Sequence, residues 1–440
     1  MLNQPRKLVL LAGDLACLHL ALTATLLLRY APEDWTARWQ SHWPYFLPVF
    51  FIWLVILYIN NLYNLNLAGG NGDFYRSLLN AVTASTIASV LYFYLNLRSA
   101  VAPRTNLAIF IVGFIIIFYL WRRLYRTLVS RVLSGERLAV IGSPEQSAQL
   151  LKEITANPGA GYRPELIVNQ SDGLEEVSRQ IVTRNIKTLV IAENFGPPVI
   201  LNRLLSASWR YDIAIFDYAE FYERLTGKVP IEDIAASWFL KNVKTGQKKY
   251  FDWLKQVTDY LLAGIVLIVT LPFWLFIAAA IRLASPGPVF FRQERLGRDG
   301  RPFTIIKFRT MTADARSSIE AAEKKELIRG GRFLRETRLD ELPQLINILR
   351  GEMSFIGPRP EQPQIAAERE RQIPFYRMRL LVKPGLTGWD QISGDYHSSS
   401  LEHTAEKLQY DLFYLKQRSL YLDAAIALKT LATIMSRNGR

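Results

Sequence analysis

Apolar residues gather into five long blocks separated by polar and basic segments. The first covers residues 8–28 and is interrupted by Asp14 and His19; three more cover about 45–63, 78–97 and 107–121. Each approaches the ~20 residues that a helix needs to cross a ~30 Å hydrocarbon core, so the pattern predicts four transmembrane helices. The first block is too long for a signal peptide and lacks the small-residue cleavage pattern. Arg6 and Lys7 precede it, and Arg122, Arg123, Arg126 and Arg131 follow the fourth. Positive-inside bias then puts both ends in the cytoplasm, although Arg98 and Arg104 flank a loop that this topology places outside.

After Ser134 the period shortens. "ERLAVIGSPEQSAQLLKEI" reads as strand, turn and helix, and "IKTLVIAENF" and "YDIAIFDY" are further β runs. This alternation predicts a parallel α/β domain of Rossmann-like type over 135–240. Its first turn, Gly142-Ser-Pro-Glu-Gln-Ser, has one glycine where a dinucleotide site carries three to admit a pyrophosphate. A structural or regulatory module is therefore expected, without a bound cofactor.

The fifth block, residues 260–281, contains Pro272. Lys241, Lys244, Lys248, Lys249 and Lys255 precede it, and Arg282, Arg292, Arg295, Arg298 and Arg301 follow. Two basic flanks on one side of a membrane require the segment to enter and leave by the same face. A break at Leu271–Pro272 gives two arms of about 11 residues, each ~17 Å long, with Thr270 available to satisfy freed backbone groups. The pattern thus predicts a re-entrant helix-hairpin over 255–284 rather than a fifth crossing.

Charge narrows the partners. Lys+Arg number 53 against 39 Asp+Glu, a net charge of +14 that suits anionic lipid or phosphate-bearing substrates. No zinc-finger or RNA-binding signature accompanies it, so no nucleic-acid partner is expected. The single cysteine, Cys17, excludes an intramolecular disulfide and fits a reducing compartment.

Candidate chemistry lies beyond the fifth block. In "SPGPVFFRQERLGRDGRPFTIIKFRTM" (285–311), Gly297 and Gly300 bracket a turn between two strands. Alternation puts Lys307 and Arg309 on one strand face. In "RETRLDELPQL" (335–345), Asp340 and Glu341 stand side by side at the mouth of a helix carrying Leu342, Leu345, Ile346 and Leu349, with Pro343 in its first turn. Taken alone, an acid there is an N-cap. A helix mouth also favours phosphate, and two carboxylates beside a phosphate need compensating charge. Arg335 and Arg338 supply some of it. Mg²⁺, which prefers one or two carboxylates plus substrate phosphate oxygens, supplies the rest, with Asp340 as its protein ligand. The chemistry implied is phosphoryl transfer with a carboxylate nucleophile. "GEMSFIGPRPEQ" then holds Arg359 between Pro358 and Pro360, and "VKPGLTGWDQISG" (382–394) adds another Gly/Pro-rich loop.

Together "SPGPVFFRQERLGRDGRPF", "KFRTM", "LDELPQLINILRGEMSFIGPRP" and "KPGLTGW" resemble the bacterial sugar transferases, the monotopic phosphoglycosyl transferases. With "EKLQYDLFYLKQRSLYLDAAIALKT" they cover about 249–431 in order. The four spans (1–134) and the α/β domain look like the long undecaprenyl-phosphate hexose phosphotransferase branch. The resemblance implies an α+β catalytic domain over 241–440, a catalytic dyad at Asp340 and Glu341, nucleotide recognition by Pro358, Arg359 and Pro360, and a phosphate contact at Arg335. Lys307 and Arg309 join these as substrate-binding candidates. Asp390 departs from the small residue often found after Gly-Trp, which leaves the role of the 385–394 loop open. The reaction implied moves hexose-1-phosphate from a UDP-sugar, glucose or galactose, to undecaprenyl phosphate through a phosphosugar on Asp340. Glu341 either handles a proton or orients Asp340. Such an enzyme works at the cytoplasmic face of the bacterial inner membrane, in contact with the phospholipid bilayer, and a homodimer is compatible with it. Two other classes fit parts of the pattern: a membrane-bound NAD-dependent nucleotide-sugar epimerase or dehydratase, and an inactive scaffold for polysaccharide assembly.

Overall fold

A computed structural model describes residues 4–30, 35–63, 72–96, 103–132, 135–168, 174–192, 211–243, 248–312, 327–394 and 400–435. Arg98, Ser134 and Lys244 lie outside the described residues. Contacts divide the chain into two compact units, Met1–Thr226 and Gly227–Arg440.

The first unit opens with four helices long and apolar enough to cross a membrane: α1 (Gln4–Arg29), α2 (Trp35–Ile59), α3 (Gly72–Leu95) and α4 (Pro103–Val132). Phe46, Phe50, Trp53, Phe110, Phe114 and Phe118 fill their shared core. The Trp53 ring meets Phe114 edge-on at 4.7 Å, and its Nε1 donates to Ser89 Oγ at 2.8 Å, so the one polar atom of that ring is satisfied where water is absent. Leu28, Tyr94 and Leu95 point outward with about three quarters of their surface exposed, as lipid-facing positions require. The helix α2 begins ten residues before the apolar block does. Its polar first turns carry Trp35, Trp39 and Trp43 four residues apart along one face, with Trp39 stacked on Trp43 and Trp35 tilted against Trp39, a helical signal that hydropathy alone misses.

An ion pair between α1 and α4 crosses this bundle. Arg122 Nη2 donates to Asp14 Oδ2 at 2.6 Å, Trp121 Nε1 donates to Asp14 Oδ1 at 3.1 Å, and Arg122 Nη1 donates to the Leu62 carbonyl at 3.0 Å. Both charged side chains are almost wholly buried. Removing either partner leaves an uncompensated charge, which costs about 3–5 kcal/mol, whereas removing both costs much less. Asp14→Asn and Arg122→Met are therefore each expected to lower the thermal stability of the detergent-purified protein sharply. The double variant should recover a large part of the loss, and purely additive losses would show that the charges do not stabilise each other.

Beyond α4, strands β1 (Glu136–Ile141), β2 (Tyr162–Val168), β3 (Thr188–Ile191) and β4 (Ala214–Asp217) form a parallel sheet in the order β2-β1-β3-β4. The Gly142–Ser143 turn leads into a helix closed by its own side chains. Gln146 N–H donates to Ser143 Oγ at 3.2 Å, and Ser143 N–H donates to Gln146 Oε1 at 3.3 Å.

The second unit begins at Gly227, so residues 227–240, assigned from sequence to the α/β domain, pack here instead. The Val229 N–H donates to the Gln409 carbonyl at 3.1 Å, and Lys228 pairs with Glu406 at 2.6 Å. A 36-residue helix, Lys249–Ala284, follows. It runs without interruption through Pro272, so the break expected at Leu271–Pro272 does not divide it into two helices. Thr270 Oγ1 donates to the Val266 carbonyl at 2.7 Å, one turn back. Its first turns are pinned by Arg418 on Asp252, Lys255 on Asp423, and Asp259 accepting the Phe355 N–H. A stripe of Ala263, Leu267, Trp274, Ile277 and Ile281 then packs against the unit's own core, while Ile265, Ile268, Phe273 and Phe276 stand exposed.

That core is a hairpin of β5 (Phe290–Leu296) and β6 (Pro302–Phe308), in register from Phe290↔Phe308 to Leu296↔Pro302 with its turn at Gly297–Gly300, as the glycine spacing predicts. A parallel pair, β7 (Ser354–Ile356) and β8 (Gly385–Thr387), joins the two Gly/Pro-rich loops. They approach so closely that a Cβ at Gly385 would collide with the Gly357 backbone, and one at Gly357 with the Lys383 carbonyl. Helices Leu401–Gln417 and Leu420–Met435 complete the unit.

Candidate active site

Lys307, Arg309, Arg335, Asp340 and Arg359 line a single cavity of about 580 Å³. Four separate stretches of sequence supply them. Lys307 stands near the end of β6 and Arg309 just beyond it, on the same side as alternation predicts. Arg335 sits on the short helix Gly331–Glu336, where its Nε donates to Thr310 Oγ1 at 3.1 Å. Arg359 comes from the loop after β7.

The dyad differs from its expected placement. Asp340 and Glu341 occupy a 3₁₀ turn, Leu339–Glu341, entered through Arg338 in the left-handed region (φ 59°). The following helix, Gln344–Leu349, starts only after Pro343, so neither acid caps it. A 3₁₀ turn rotates about 120° per residue, which sends adjacent side chains in different directions. Asp340 faces the cavity. Glu341 turns back to receive Lys307 Nζ at 2.8 Å, with Arg338 at 3.6 Å.

Their environments separate the two acids. Burial pushes the Asp340 pKa up and the Glu341 charge adds to it, against the pull of Lys307, Arg335 and Arg338. Burial also opposes ionisation of Glu341, but Lys307, Arg359 and Arg338 together outweigh it and leave its pKa below the usual range. Glu341 is thus a fixed anion that holds a lysine, and Asp340 is the less comfortable carboxylate in the pocket.

Arg309 lines the cavity, but its guanidinium also ties down the exit of the long helix: Nη1 donates to the Pro286 carbonyl at 2.8 Å and Nη2 to Ser285 at 2.6 Å. Pro358 and Pro360 flank Arg359 without lining the cavity, and Pro272 stays within the long helix. Sequence reasoning missed Asn347, whose Oδ1 accepts the Ile306 N–H at 3.2 Å and whose Nδ2 donates to the Thr304 carbonyl at 2.7 Å. It locks the helix after the dyad to β6, and so fixes Glu341 against Lys307. An amide inside the apolar run Leu345–Leu349 was the available signal, since a buried polar group must be satisfied.

A chain with this arrangement matches the bacterial sugar transferase family over residues 250–437. It is also 32% identical over 330 residues to a UDP-glucose:undecaprenyl-phosphate glucose-1-phosphate transferase of Xanthomonas campestris pv. campestris, covering 69% of this chain and 67% of that one. The chain belongs to the bacterial sugar transferase family. A UDP-N-acetylgalactosamine-undecaprenyl-phosphate N-acetylgalactosaminephosphotransferase of Aeromonas hydrophila is 36% identical over 230 residues, 52% of this chain and 53% of its own. A UDP-glucose:undecaprenyl-phosphate glucose-1-phosphate transferase of Escherichia coli (strain K12) is 40% identical over 181 residues, 40% of this chain and 39% of its own. The match therefore spans about half of the Aeromonas protein and two fifths of the Escherichia one. The cavity, the dyad turn and the Pro-Arg-Pro loop all lie inside the segment that defines the sugar transferase family. Among the described residues, five helices are long and apolar enough to cross a bilayer, which makes it a membrane protein.

Proposed function

We infer that the protein transfers hexose-1-phosphate from a UDP-sugar to undecaprenyl phosphate at the cytoplasmic face of the bacterial inner membrane. The observation that carries this reading is a cavity in which one carboxylate, Asp340, is surrounded by Lys307, Arg309, Arg335 and Arg359. A diphosphate brings the negative charge that such a cavity lacks, and the carboxylate gives it a nucleophile. An Asp340 oxygen attacks the phosphorus bearing the sugar; the new O–P bond forms as the bond to UMP breaks, and UMP leaves with the bridging oxygen. An oxygen of undecaprenyl phosphate then attacks the same phosphorus and releases the Asp340 carboxylate. Glu341 holds Lys307 for the phosphate oxygens.

The donor set suits Mg²⁺ only as an ion shared with substrate. No cluster of three metal-ligating side chains occurs among the described residues, and Glu341 is engaged by Lys307, which leaves Asp340 as the protein ligand. When bound, the ion neutralises charge on the diphosphate. The α/β domain fits a structural or regulatory role, because its first helical turn is already closed by Ser143 and Gln146.

Glucose is the first sugar to test, as the Xanthomonas relative that matches over most of both chains is named for it. UDP-sugars radiolabelled in the sugar are offered one at a time to membranes with undecaprenyl phosphate. Label should pass to the lipid phase with equimolar UMP; label in lipid without UMP, or no transfer from any hexose, would overturn the reading.

The long helix is proposed to dip into the leaflet and return rather than cross it. Its support is the packed stripe, which holds residues on both sides of Pro272 against one α+β core. Cysteines placed at Lys249 and Arg292 in a Cys17→Ala background are expected to react with an impermeant maleimide from the cytoplasmic side alone. Labelling from opposite faces would establish a full crossing.

A further inference from the structure

We propose that Arg379 is a positioning residue that sets Arg359 toward the nucleotide diphosphate, by pinning the Pro358-Arg359-Pro360 turn to the helix Leu401–Gln417. This rests on the function proposed above. Prolines on either side of Arg359 have no N–H, so two of the three residues of the turn have no backbone donor with which to close it. Every carbonyl along it is instead held from outside. The Gly385 N–H donates to Pro358 at 2.9 Å, Arg379 Nη2 to Arg359 at 3.1 Å, Arg295 Nη1 to Pro360 at 3.0 Å, and the Leu296 N–H to Glu361 at 2.9 Å. Arg379 holds the carbonyl of the very residue whose side chain enters the cavity.

Arg379 itself is 4% exposed and does not line the cavity. Its charge is met by Asp411 Oδ2 at 2.8 Å and Glu361 Oε1 at 3.6 Å, and its Nη1 donates to Tyr376 Oη at 2.8 Å. Asp411 is buried on the Leu401–Gln417 helix, so the pin runs from that helix, through one guanidinium, to the turn. Asp390 adds to the same cluster. It is 2% exposed, burial raises its pKa, and the Arg379 and Arg359 charges oppose the rise. A guanidinium meets these acceptors with two separately directed nitrogens, whereas a lysine offers one.

The test uses the full-length protein in detergent, with UDP binding measured by titration calorimetry, steady-state KM for UDP-sugar and for undecaprenyl phosphate, and thermal unfolding. Arg379→Lys should weaken UDP binding and raise the UDP-sugar KM about tenfold, with the lipid KM unchanged within about twofold. In an Arg359→Lys background the same change should add less than about twofold, since Arg379 acts through Arg359. Tyr376→Phe is the milder variant, removes one acceptor of Arg379, and should raise the UDP Kd by about two- to threefold. Additive effects in the double variant, or a lower melting temperature in either single variant with UDP affinity unmoved, would overturn the assignment. A wild type that neither binds UDP nor releases UMP would instead overturn the proposed function, and this inference with it.

Discussion

Asp340→Asn is expected to abolish transfer while leaving a fully folded protein. The residue is 8% exposed and does not occupy the N-cap of the following helix, which falls on Pro343, and Asn preserves its shape. Its raised pKa fixes the sign of the effect on stability. A carboxylate that prefers its neutral form in the folded state contributes most below its unfolded pKa, and that contribution is lost as pH rises through the folded value. At neutral pH the wild type therefore carries a destabilising charge that Asn lacks. The variant should melt at the same temperature or slightly higher near pH 7, with the advantage fading toward acid. Turnover should vanish, because an amide cannot form the O–P bond. With labelled UDP-sugar, Mg²⁺ and no lipid acceptor, rapid acid quench of the wild type should trap phosphosugar on the peptide containing Asp340, and the variant should trap none. UMP release that strictly requires the lipid acceptor, with no adduct in the wild type, would point to direct transfer instead.

Glu341→Gln should cost on the order of 10²-fold in kcat/KM, the scale of losing one positioned charged partner in a water-poor site. The larger signature is in the pH profile. Asp340 must be ionised to attack, so activity falls as pH drops through its raised pKa. Removing the Glu341 charge removes a repulsion on Asp340 and releases Lys307 from its 2.8 Å pairing. Both changes favour the Asp340 carboxylate, so the acid limb of kcat/KM should move to lower pH even as the maximum falls. A limb that stays in place would mean that the two acids are not electrostatically coupled, and that Glu341 acts only by holding Lys307. Lys307→Met separates these roles. It keeps the Glu341 charge, deprives it of its nearest cation, and should move the acid limb upward.

Much of the fold and of the site is legible in the sequence, for local reasons. Runs of about 20 apolar residues announce membrane helices because hydrocarbon excludes unsatisfied backbone. Alternation around Phe303–Arg309 announces a strand because successive side chains point to opposite faces, and Gly297 and Gly300 mark its hairpin turn. The adjacent Asp340 and Glu341 and the Pro-Arg-Pro loop are contiguous signals, so their chemistry can be read in place. Hydropathy runs out where helices are held by other means, as in the first turns of α2, where a row of tryptophan rings in mutual contact replaces a continuous apolar run.

Only the tertiary structure decided how neighbours in sequence divide their work. The 3₁₀ turn, set by Arg338 and Pro343 together, sends Asp340 into the cavity and Glu341 onto Lys307, where a helix mouth would have offered both to one ligand. Arg309 and Lys307 share a strand face, yet Arg309 caps the exit of the long helix because the carbonyls of Ser285 and Pro286 arrive there from 24 and 23 residues away. Asn347 and Arg379 were invisible as site residues, since their partners lie on other elements. Sequence determines what a segment prefers by itself, through period, length and backbone chemistry. Which charges meet in a buried pocket depends on contacts between distant segments, because only there does the loss of water make pairing compulsory.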